Sequence, residues 1–459
     1  MPATRKRSKN TALIRVINDE YQEMLRSREH PTQHLFFDNA VWWKQYYADG
    51  LIENRYEVRT KPQKPMDLAG LTPKADCKFS PTKTLTKVAV ESLYTMISTQ
   101  TDFAPIRKKL IDFTNYAMPA TRTTTKGWKQ HKGPRDLSVM ILGAGPVGLF
   151  TALYLNELYN KEGPKDKTTR KVNILVIDNR IEREGFKSPY SRSTQFGFDI
   201  ADLQYVLKNI FCWDIAKHGG FGHRRFDYIH IVENLLYTVA FHDNIPMLFT
   251  KQFEDLDNVK AFARREKIHA LFDCTGGRIK KNVVNNIPWP SYSFKKGTAE
   301  VKYNPDTGYY EFLEKGALVA TPVMRLQLLD KHHKEIMGGN GFPYLTNAAD
   351  IELVNTHKNI CYGVDDFLRI ASHFKDSNLQ QYYPELVKDV KKSDIHSVRI
   401  SSFTLGARHS PFAAAPLSKD CIYIRVGDSL GSTEYGSYFG MRHSVRFSKY
   451  ICTLMAAFL

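Results

Sequence analysis

The sequence lacks the residue patterns that define several common classes of protein. Its six cysteines form no Cys-x-x-Cys pair, and no His/Cys cluster has zinc-ligand spacing, so we predict no metal site. Free thiols in a reducing, intracellular compartment are expected. The 27 glycines and 21 prolines are too few for a collagen-like or low-complexity chain. The sequence also contains no HExxH or Walker A motif.

No signal peptide and no membrane span are predicted. Near the N-terminus, Arg15 interrupts a short apolar stretch, so this segment does not form the apolar core of a signal peptide. The uncharged run 137–155 approaches the roughly 20 residues that a helix needs to cross a bilayer. Three glycines and a proline stand in its middle, so a strand, a glycine-rich turn and a helix explain the run better than a membrane span.

A glycine-rich turn follows a predicted strand at 138–142 and opens a predicted helix at 146–158. The turn has the GxGxxG fingerprint of dinucleotide-binding βαβ units. The first glycine permits the tight turn, the second lets the backbone approach a pyrophosphate, and the third lets the helix pack closely on the strand. The helix N-terminus offers free N–H groups to the phosphates. The residues predicted here to bind the cofactor are Gly143, Gly145, Pro146, Val147 and Gly148.

An acidic residue ends the second predicted strand, at 172–178. In dinucleotide-binding folds such a residue hydrogen-bonds a ribose, and Asp178 stands in that position. Asp178 follows the fingerprint at more than the usual ~20 residues, and a charged loop at 160–171 accounts for the excess. Arg180 comes shortly after this acid and is predicted at the same cofactor site.

Three further segments favour FAD over NAD as the dinucleotide. One predicted strand ends in Asp-Cys-Thr-Gly-Gly, where Thr275 and Gly276 let the chain pass close to a ligand. A late strand ends in Gly427-Asp428, far along the chain from the fingerprint, and a domain that binds only NAD does not need such a returning segment. The third segment, Ser-Arg-Ser-Thr, follows the second strand and contributes Arg192.

The order of these motifs resembles the FAD-dependent monooxygenases of the aromatic-hydroxylase type, and within that group it is most similar to the monooxygenase domain of the MICAL proteins. The resemblance rests on GAGPVGL, VID-x-R, the Ser-Arg step, an Ile-x-Ile-x-x-x-x-Leu helix at 229–236 and VGDSL. It implies an enzyme in which NAD(P)H reduces FAD and O₂ then forms a flavin hydroperoxide that transfers oxygen. It also implies a substrate that is a small aromatic molecule or a protein side chain.

The resemblance implies roles for individual residues as well. Asp178 would hold the adenosine ribose, and Asp428 would hold the ribityl or pyrophosphate part of FAD. Arg192 would lie beside the flavin or its phosphates, and the N-terminal end of the last helix would face the flavin ring. Cys274 is interpreted as a small residue that packs beside the cofactor, and His443 as a surface or capping residue. No residue pair marks a catalytic acid or base, so the catalytic residues stay unassigned.

The chain divides into a helical N-terminal part and an α/β part. Apolar residues at helical spacing predict helices at about 12–27, 86–99 and 106–113, behind an irregular basic tail over 1–10. From residue 138 strands alternate with helices, which predicts an α/β fold. The predicted units are a basic tail and helical extension at 1–135, a Rossmann-like FAD-binding part at 136–284, a mixed α+β substrate domain at 285–395, and a returning FAD-binding segment with a C-terminal helix at 396–459.

Two features leave other functions open. Bulky residues stand at 438–439, where the resembled enzymes have small ones, so an FAD reductase that does not oxygenate is one alternative. The formal net charge of +17 predicts a surface that attracts polyanions. A basic binding or scaffold protein that retains a flavoprotein fold is therefore a second alternative, with an acidic protein or a nucleic acid as its partner. The positive charge would equally help to recruit the anionic cofactors.

The N-terminal residues bear on the compartment and on the partner. We expect a cytoplasmic protein, and the basic residues between 5 and 9 leave a nuclear-import signal open beside a solvated tail. The aromatic pairs Trp42/Tyr46 and Trp43/Tyr47 recur at helical spacing. We interpret these pairs as core residues rather than as stacking platforms for bases.

Overall fold

The structure is a computed structural model, and it describes defined parts of the chain. These are residues 2–26, 71–73, 83–99, 103–113, 116–119, 136–161, 171–180, 186–187, 195–197, 226–279, 294–296, 299–304, 308–314, 317–318, 320–331, 341–343, 356, 360–373, 394–406, 408–432 and 440–458. In the first helix the side chains of 10–23 are described, and in the last helix those of 444–455. The predicted linker at 121–135, the aromatic cluster at 42–47, Arg192 and the side chain of His443 lie outside these parts.

The described α-helices are α1 (Pro2–Arg26), α2 (Lys87–Thr99), α3 (Phe103–Asp112), α4 (Pro146–Asn156), α5 (Ile229–His242), α6 (Leu256–Arg265), α7 (Val364–His373) and α8 (Gly440–Phe458). Six of the described α-helices lie where helices were predicted, whereas α6 and α7 were not predicted. A π-helical turn, Glu157–Lys161, continues α4. The three N-terminal helices are confirmed, but α1 begins at Pro2, so the irregular tail expected over 1–10 is wrong.

The described strands form a mainly parallel sheet of six strands, here called the large sheet, together with a second six-stranded sheet and several smaller ones. They are β1 (Lys83–Thr84), β2 (Tyr116–Pro119), β3 (Leu137–Leu142), β4 (Val172–Asp178), β5 (Phe186–Lys187), β6 (Gln195–Gly197), β7 (Phe226–Tyr228), β8 (Met247–Phe249), β9 (Ala270–Asp273), β10 (Phe294–Lys296), β11 (Ala299–Asn304), β12 (Tyr309–Glu314), β13 (Ala317–Leu318), β14 (Ala320–Leu329), β15 (Gly341–Pro343), β16 (Cys361–Gly363), β17 (Ser397–Gly406), β18 (Arg408–His409), β19 (Ala414–Ser418), β20 (Cys421–Arg425) and β21 (Gly431–Ser432).

The large sheet has the topology that the alternating pattern predicts. Its strands lie in the order β8-β4-β3-β9-β20-β19. Every neighbouring pair is parallel except the antiparallel hairpin of β19 and β20. From β3 the chain builds first towards β8 on one side and then towards β20 on the other, so the direction of winding switches between β3 and β9. This doubly wound arrangement confirms the Rossmann-like α/β fold, whose ligands bind at the carboxyl ends of the strands at the switch point.

Alternate residues of the parallel strands pack into two different cores. In β3, Val139 and Ile141 belong to the core that α4, α5 and α8 cover. Met140 and Leu142 face the opposite side and pack with residues of α6 such as Phe262. Because both faces are covered, the strands are apolar throughout rather than alternating in polarity.

The three N-terminal helices pack on this α/β unit. In α1, Leu13, Ile17 and Tyr21 are buried in the same core as α8. The Asn18 side chain donates to the carbonyl oxygen of Ala414 at 2.8 Å and accepts from the N–H groups of residues 413 and 414 at 2.9 and 3.0 Å. On α5, Asn234 donates to the carbonyl oxygen of Leu110 at the end of α3, at 3.0 Å. The helical extension is therefore part of the folded body.

Further sheets lie outside the parallel sheet. One has the order β10-β11-β12-β18-β21, with β13 beside β12, and another has the order β15-β14-β17-β16. β14 pairs with β17 over all ten residues of each strand, from Ala320–Gly406 to Leu329–Ser397. The boundary predicted between 395 and 396 thus separates two strands of one sheet. The other predicted boundaries stay predictions.

Two expectations about the sequence can be compared directly with the structure. The uncharged run 137–155 forms β3, the glycine turn and most of α4, as predicted, and none of the described helices has the length and apolar character of a membrane span. The expectation that all six thiols are free is wrong at Cys361, which is disulfide-bonded. Cys274, Cys421 and Cys452 are free thiols.

Candidate functional site

A cavity of about 240 Å³ lies at the carboxyl ends of β3, β4, β9 and β20, at the switch point of the sheet. Most of the residues predicted to bind the cofactor line it: Gly143, Gly145, Pro146, Val147, Asp178, Arg180, Thr275, Gly276, Gly427 and Asp428. Gly148 is buried and does not line the cavity, and Arg192 lies outside the described residues. The fold therefore brings the fingerprint, the end of the second strand and the returning segment to one place.

Two glycines of the fingerprint are required by the packing of the protein itself. Gly143 has a φ of +100°, and a Cβ there would lie 2.6 Å from the carbonyl oxygen of Cys274. A Cβ on Gly148 would lie 1.8 Å from the carbonyl oxygen of Gly143. The N–H of Gly143 donates to the carbonyl oxygen of Ile177 at 2.7 Å, which ties the turn to the neighbouring strand. At these two positions, in the turn between β3 and the start of α4, only glycine fits.

Gly145 differs from these two, because nothing in the protein crowds it. Its backbone is extended, and the nearest atom to an added Cβ is an Oε1 of Glu233 at 3.9 Å. It precedes the first turn of α4, whose initial N–H groups have no partner within the helix. Gly145 offers no side-chain cap, and this helix end lines the cavity. The arrangement is suited to an anion that approaches the backbone closely.

Asp178 is buried at the end of β4 and is held by four hydrogen bonds. Its Oδ2 accepts from the N–H of Ala144 at 2.6 Å and from Nη2 of Arg180 at 2.9 Å. Its Oδ1 accepts from the backbone N–H and Nε of Arg180 at 2.8 and 2.9 Å. A carboxylate has about four lone-pair positions, so these hydrogen bonds occupy the full acceptor capacity of Asp178. A ribose hydroxyl could bond Asp178 only if the Arg180 side chain moved away.

The pKa of Asp178 predicts a loss of stability in acid. Burial alone would raise this pKa, but the charge of Arg180 and the hydrogen bonds from Arg180 and Ala144 lower it from 3.8 to about 2. The native state therefore favours the ionised carboxylate. Its contribution, about 2 kcal/mol, is complete above the unfolded pKa and is lost as the pH falls from about 4 towards 2. Urea unfolding between pH 6 and 2 should show a steeper acid loss for the wild type than for Asp178→Asn. Equal slopes would contradict this account.

The turn after β9 and the turn after β20 are joined by a buried carboxylate. Oδ1 of Asp273 accepts from the N–H and Oγ1 of Thr275 at 3.0 and 2.7 Å, and from Oγ of Ser429 at 2.9 Å. Oδ2 accepts from the hydroxyl of Tyr423. Gly276 and Gly427 have φ values of +74° and +67°, which other residues rarely adopt. Asp273 thus fixes the relative position of two turns that line the cavity.

Aromatic and cationic side chains on β12, β18 and β20 surround and support these turns. The hydroxyl of Tyr309, on β12, donates to the carbonyl oxygen of Ser429 at 3.0 Å. The guanidinium carbons of Arg408 and Arg425 lie 4.4 and 4.9 Å from the centre of its ring. Arg408 also donates to the carbonyl oxygen of Gly276 at 3.3 Å. Sequence analysis missed these residues, because no local motif marks a side chain that supports a turn through long-range contacts.

The cavity lining contains more acidic than basic residues, although the chain as a whole has a net positive charge. Four carboxylates, those of Asp178, Glu233, Glu254 and Asp428, face two guanidinium groups, those of Arg180 and Arg278. The chain as a whole carries +17. Glu233 was missed, although a charged residue within the apolar sequence of α5 was a usable signal. Within the described ranges, no group of three His, Cys, Asp or Glu side chains could hold a metal ion.

Cys274 has the environment of a packing residue. An added Cβ on Gly148 would lie 3.3 Å from its own Cβ, so the side chain lies against the fingerprint helix. Burial raises the pKa of the Cys274 thiol well above its usual range. The thiol is therefore protonated at neutral pH and has little thiolate character.

The comparisons with known proteins give only distant similarities. No protein-family model matches the chain, and no curated protein is similar to it in sequence. Among solved structures, a flavoprotein/dehydrogenase from Cytophaga hutchinsonii aligns at 9% identity with a TM-score of 0.35, over 70% of this chain and 78% of that protein. A tryptophan 6-halogenase from Streptomyces toxytricini aligns at 11% identity with a TM-score of 0.35, over 66% of this chain and 69% of that protein. A p-nitrophenol 4-monooxygenase from Pseudomonas putida aligns at 11% identity with a TM-score of 0.32, over 70% of this chain and 80% of that protein. These similarities are distant, and the sheet topology defines the fold.

Proposed function

We propose that this protein is an FAD-dependent oxidoreductase, and more narrowly an NAD(P)H-dependent monooxygenase. The observation that carries the proposal is the meeting of the fingerprint turn and the returning Gly427-Asp428 turn in one cavity at the switch point. An NAD-only site needs the first of these segments but not the second. Oxidation of a protein side chain, as the likeness to the MICAL proteins suggests, is the narrowest form of the proposal.

The residues present fit the nucleotide half of FAD. The open space at Gly145 and the N-terminus of α4 suit the diphosphate, and Asp178 suits the adenosine ribose once Arg180 has moved. Gly427 and Asp428 suit the ribityl or pyrophosphate part. Ligand sites usually measure about 300–1,000 Å³, so a cavity of about 240 Å³ accounts for part of a ligand of this size.

Bound FAD would supply two-electron redox chemistry and a reaction with O₂ that no amino-acid side chain provides. The part of the described residues would be to bind, orient and shield it. The N–H groups of α4 would hold the phosphates, and the turns fixed by Asp273 would hold the opposite wall. We assign no catalytic acid or base.

The proposal is tested with purified protein that has been incubated with FAD and freed of excess cofactor. We expect flavin absorption bands that bleach on anaerobic addition of NADPH or NADH, and oxygen uptake when air is admitted. Bands that bleach without oxygen uptake would favour an FAD reductase. A protein that takes up no FAD would overturn the enzyme proposal and favour the basic binding protein.

A further inference from the structure

The Glu233 carboxylate lies beside Gly145 and the N-terminus of α4, the part of the cavity to which we assign the diphosphate. The side chain extends from α5, is buried and lines the cavity. Its Oε1 lies 3.9 Å from the position that a Cβ on Gly145 would occupy. Since Gly145 directly precedes the first turn of α4, the carboxylate lies beside the N-terminus of the fingerprint helix.

The helix α4 has no negative group of its own at this end. Gly145 makes no side-chain cap, and the first turn contains no acidic residue. A helix N-terminus carries a partial positive charge and favours a nearby anion. The carboxylate of Glu233, supplied by a neighbouring helix, therefore stands where that anion is favoured.

Arg180 links this carboxylate to the ribose end of the cavity. Its Nη1 lies 3.7 Å from Oε1 of Glu233, while its Nη2 lies 2.9 Å from Oδ2 of Asp178. The guanidinium is therefore shared between two carboxylates. Together the three side chains carry more negative than positive charge before any ligand binds.

We propose that the Glu233 carboxylate is an internal counter-ion of the diphosphate subsite, which competes with the phosphates of the cofactor and weakens their binding. This inference rests on the proposed FAD site. A diphosphate adds two negative charges close to Glu233, in surroundings where charges interact more strongly than in bulk water. Removal of the carboxylate charge should therefore strengthen the binding of ligands that carry phosphate and leave a ligand without phosphate unaffected.

Dissociation constants for FAD, ADP and adenosine test the inference. They are measured by calorimetry for the wild type, Glu233→Gln and the control Glu91→Gln. Glu91 lies on α2 and contacts His242 of the same helix α5 at 2.7 Å, and it does not line the cavity. We expect Glu233→Gln to bind FAD and ADP about tenfold more tightly, with adenosine unchanged. We expect Glu91→Gln to resemble the wild type for all three ligands.

Unchanged or weaker ADP binding by folded Glu233→Gln would overturn the inference, and so would an equal gain for adenosine. If Glu233→Gln does not fold, Glu233→Asp replaces it. This variant keeps the charge but withdraws it from the helix end, so a smaller gain in ADP affinity is expected, and no gain would overturn the inference. If the wild type and every variant fail to bind FAD and ADP, the proposed site itself is wrong, and this result is distinct from binding that Glu233 does not affect.

Discussion

Replacement of Gly148 by alanine should destabilise the α/β unit more than any other single methyl group added to the fingerprint. The new Cβ would lie 1.8 Å from the carbonyl oxygen of Gly143, a backbone atom that cannot rotate away. The clash can be relieved only by moving α4 away from β3 and the glycine turn. Overpacking usually costs about 1–3 kcal/mol, and we expect a value at or above the upper end. The midpoint of urea unfolding measures the loss.

The matched control for this prediction is Gly145→Ala in the same turn. There the nearest atom to the added Cβ lies at 3.9 Å and belongs to a side chain, so the methyl group should fit without strain. We expect Gly145→Ala to unfold at nearly the same urea concentration as the wild type. A Gly148→Ala protein as stable as Gly145→Ala would contradict the packing of α4 described here.

The second large effect is expected for Asp273→Ala, which removes the carboxylate between two cavity turns. Thr275, Ser429 and Tyr423 all donate to this group, and the Asp273 side chain is fully buried. A buried donor left without an acceptor costs about 1–3 kcal/mol, and several donors lose their acceptor at once. We expect a loss of about 3 kcal/mol in unfolding free energy. We also expect weaker FAD binding, because the relative position of the two turns is no longer fixed.

Tyr423→Phe is the control for Asp273→Ala. It removes one of the donors to the same carboxylate and leaves the bonds from Thr275 and Ser429 in place. We expect a loss of about 1 kcal/mol and FAD affinity near that of the wild type. If Asp273→Ala costs no more than Tyr423→Phe, the carboxylate does not organise the two turns.

The parts of the fold that sequence reasoning predicted are those encoded locally. Gly143 has the positive φ of a tight turn, and a side chain on Gly148 would meet the carbonyl oxygen of Gly143, so both requirements arise within one short segment that a motif identifies. The parallel strands are covered on both faces, so they appear in the sequence as continuous apolar segments. The carboxyl ends of parallel strands lie at the same edge of a sheet. The motifs that follow these strands are therefore brought together.

The parts that were missed depend on contacts between distant segments. Tyr309 supports the turn at Ser429 from another sheet, and nothing near residue 309 indicates this contact. Asp178 lines the cavity, but the occupation of both its oxygen atoms by donors from Arg180 and Ala144 depends on side-chain geometry that sequence spacing does not define. The same holds for β14 and β17, whose pairing crosses the boundary predicted between 395 and 396.

If FAD binds with its diphosphate at the N-terminus of α4, a methyl group on Gly145 must lower the affinity of the protein for FAD. FAD titrations of the wild type and this variant, followed by flavin fluorescence, give the two dissociation constants. We expect stoichiometric binding by the wild type and an affinity at least ~100-fold lower for Gly145→Ala, equivalent to about 2.7 kcal/mol, at unchanged stability. Equal affinities, or a wild type that binds no FAD, would contradict this placement of the diphosphate.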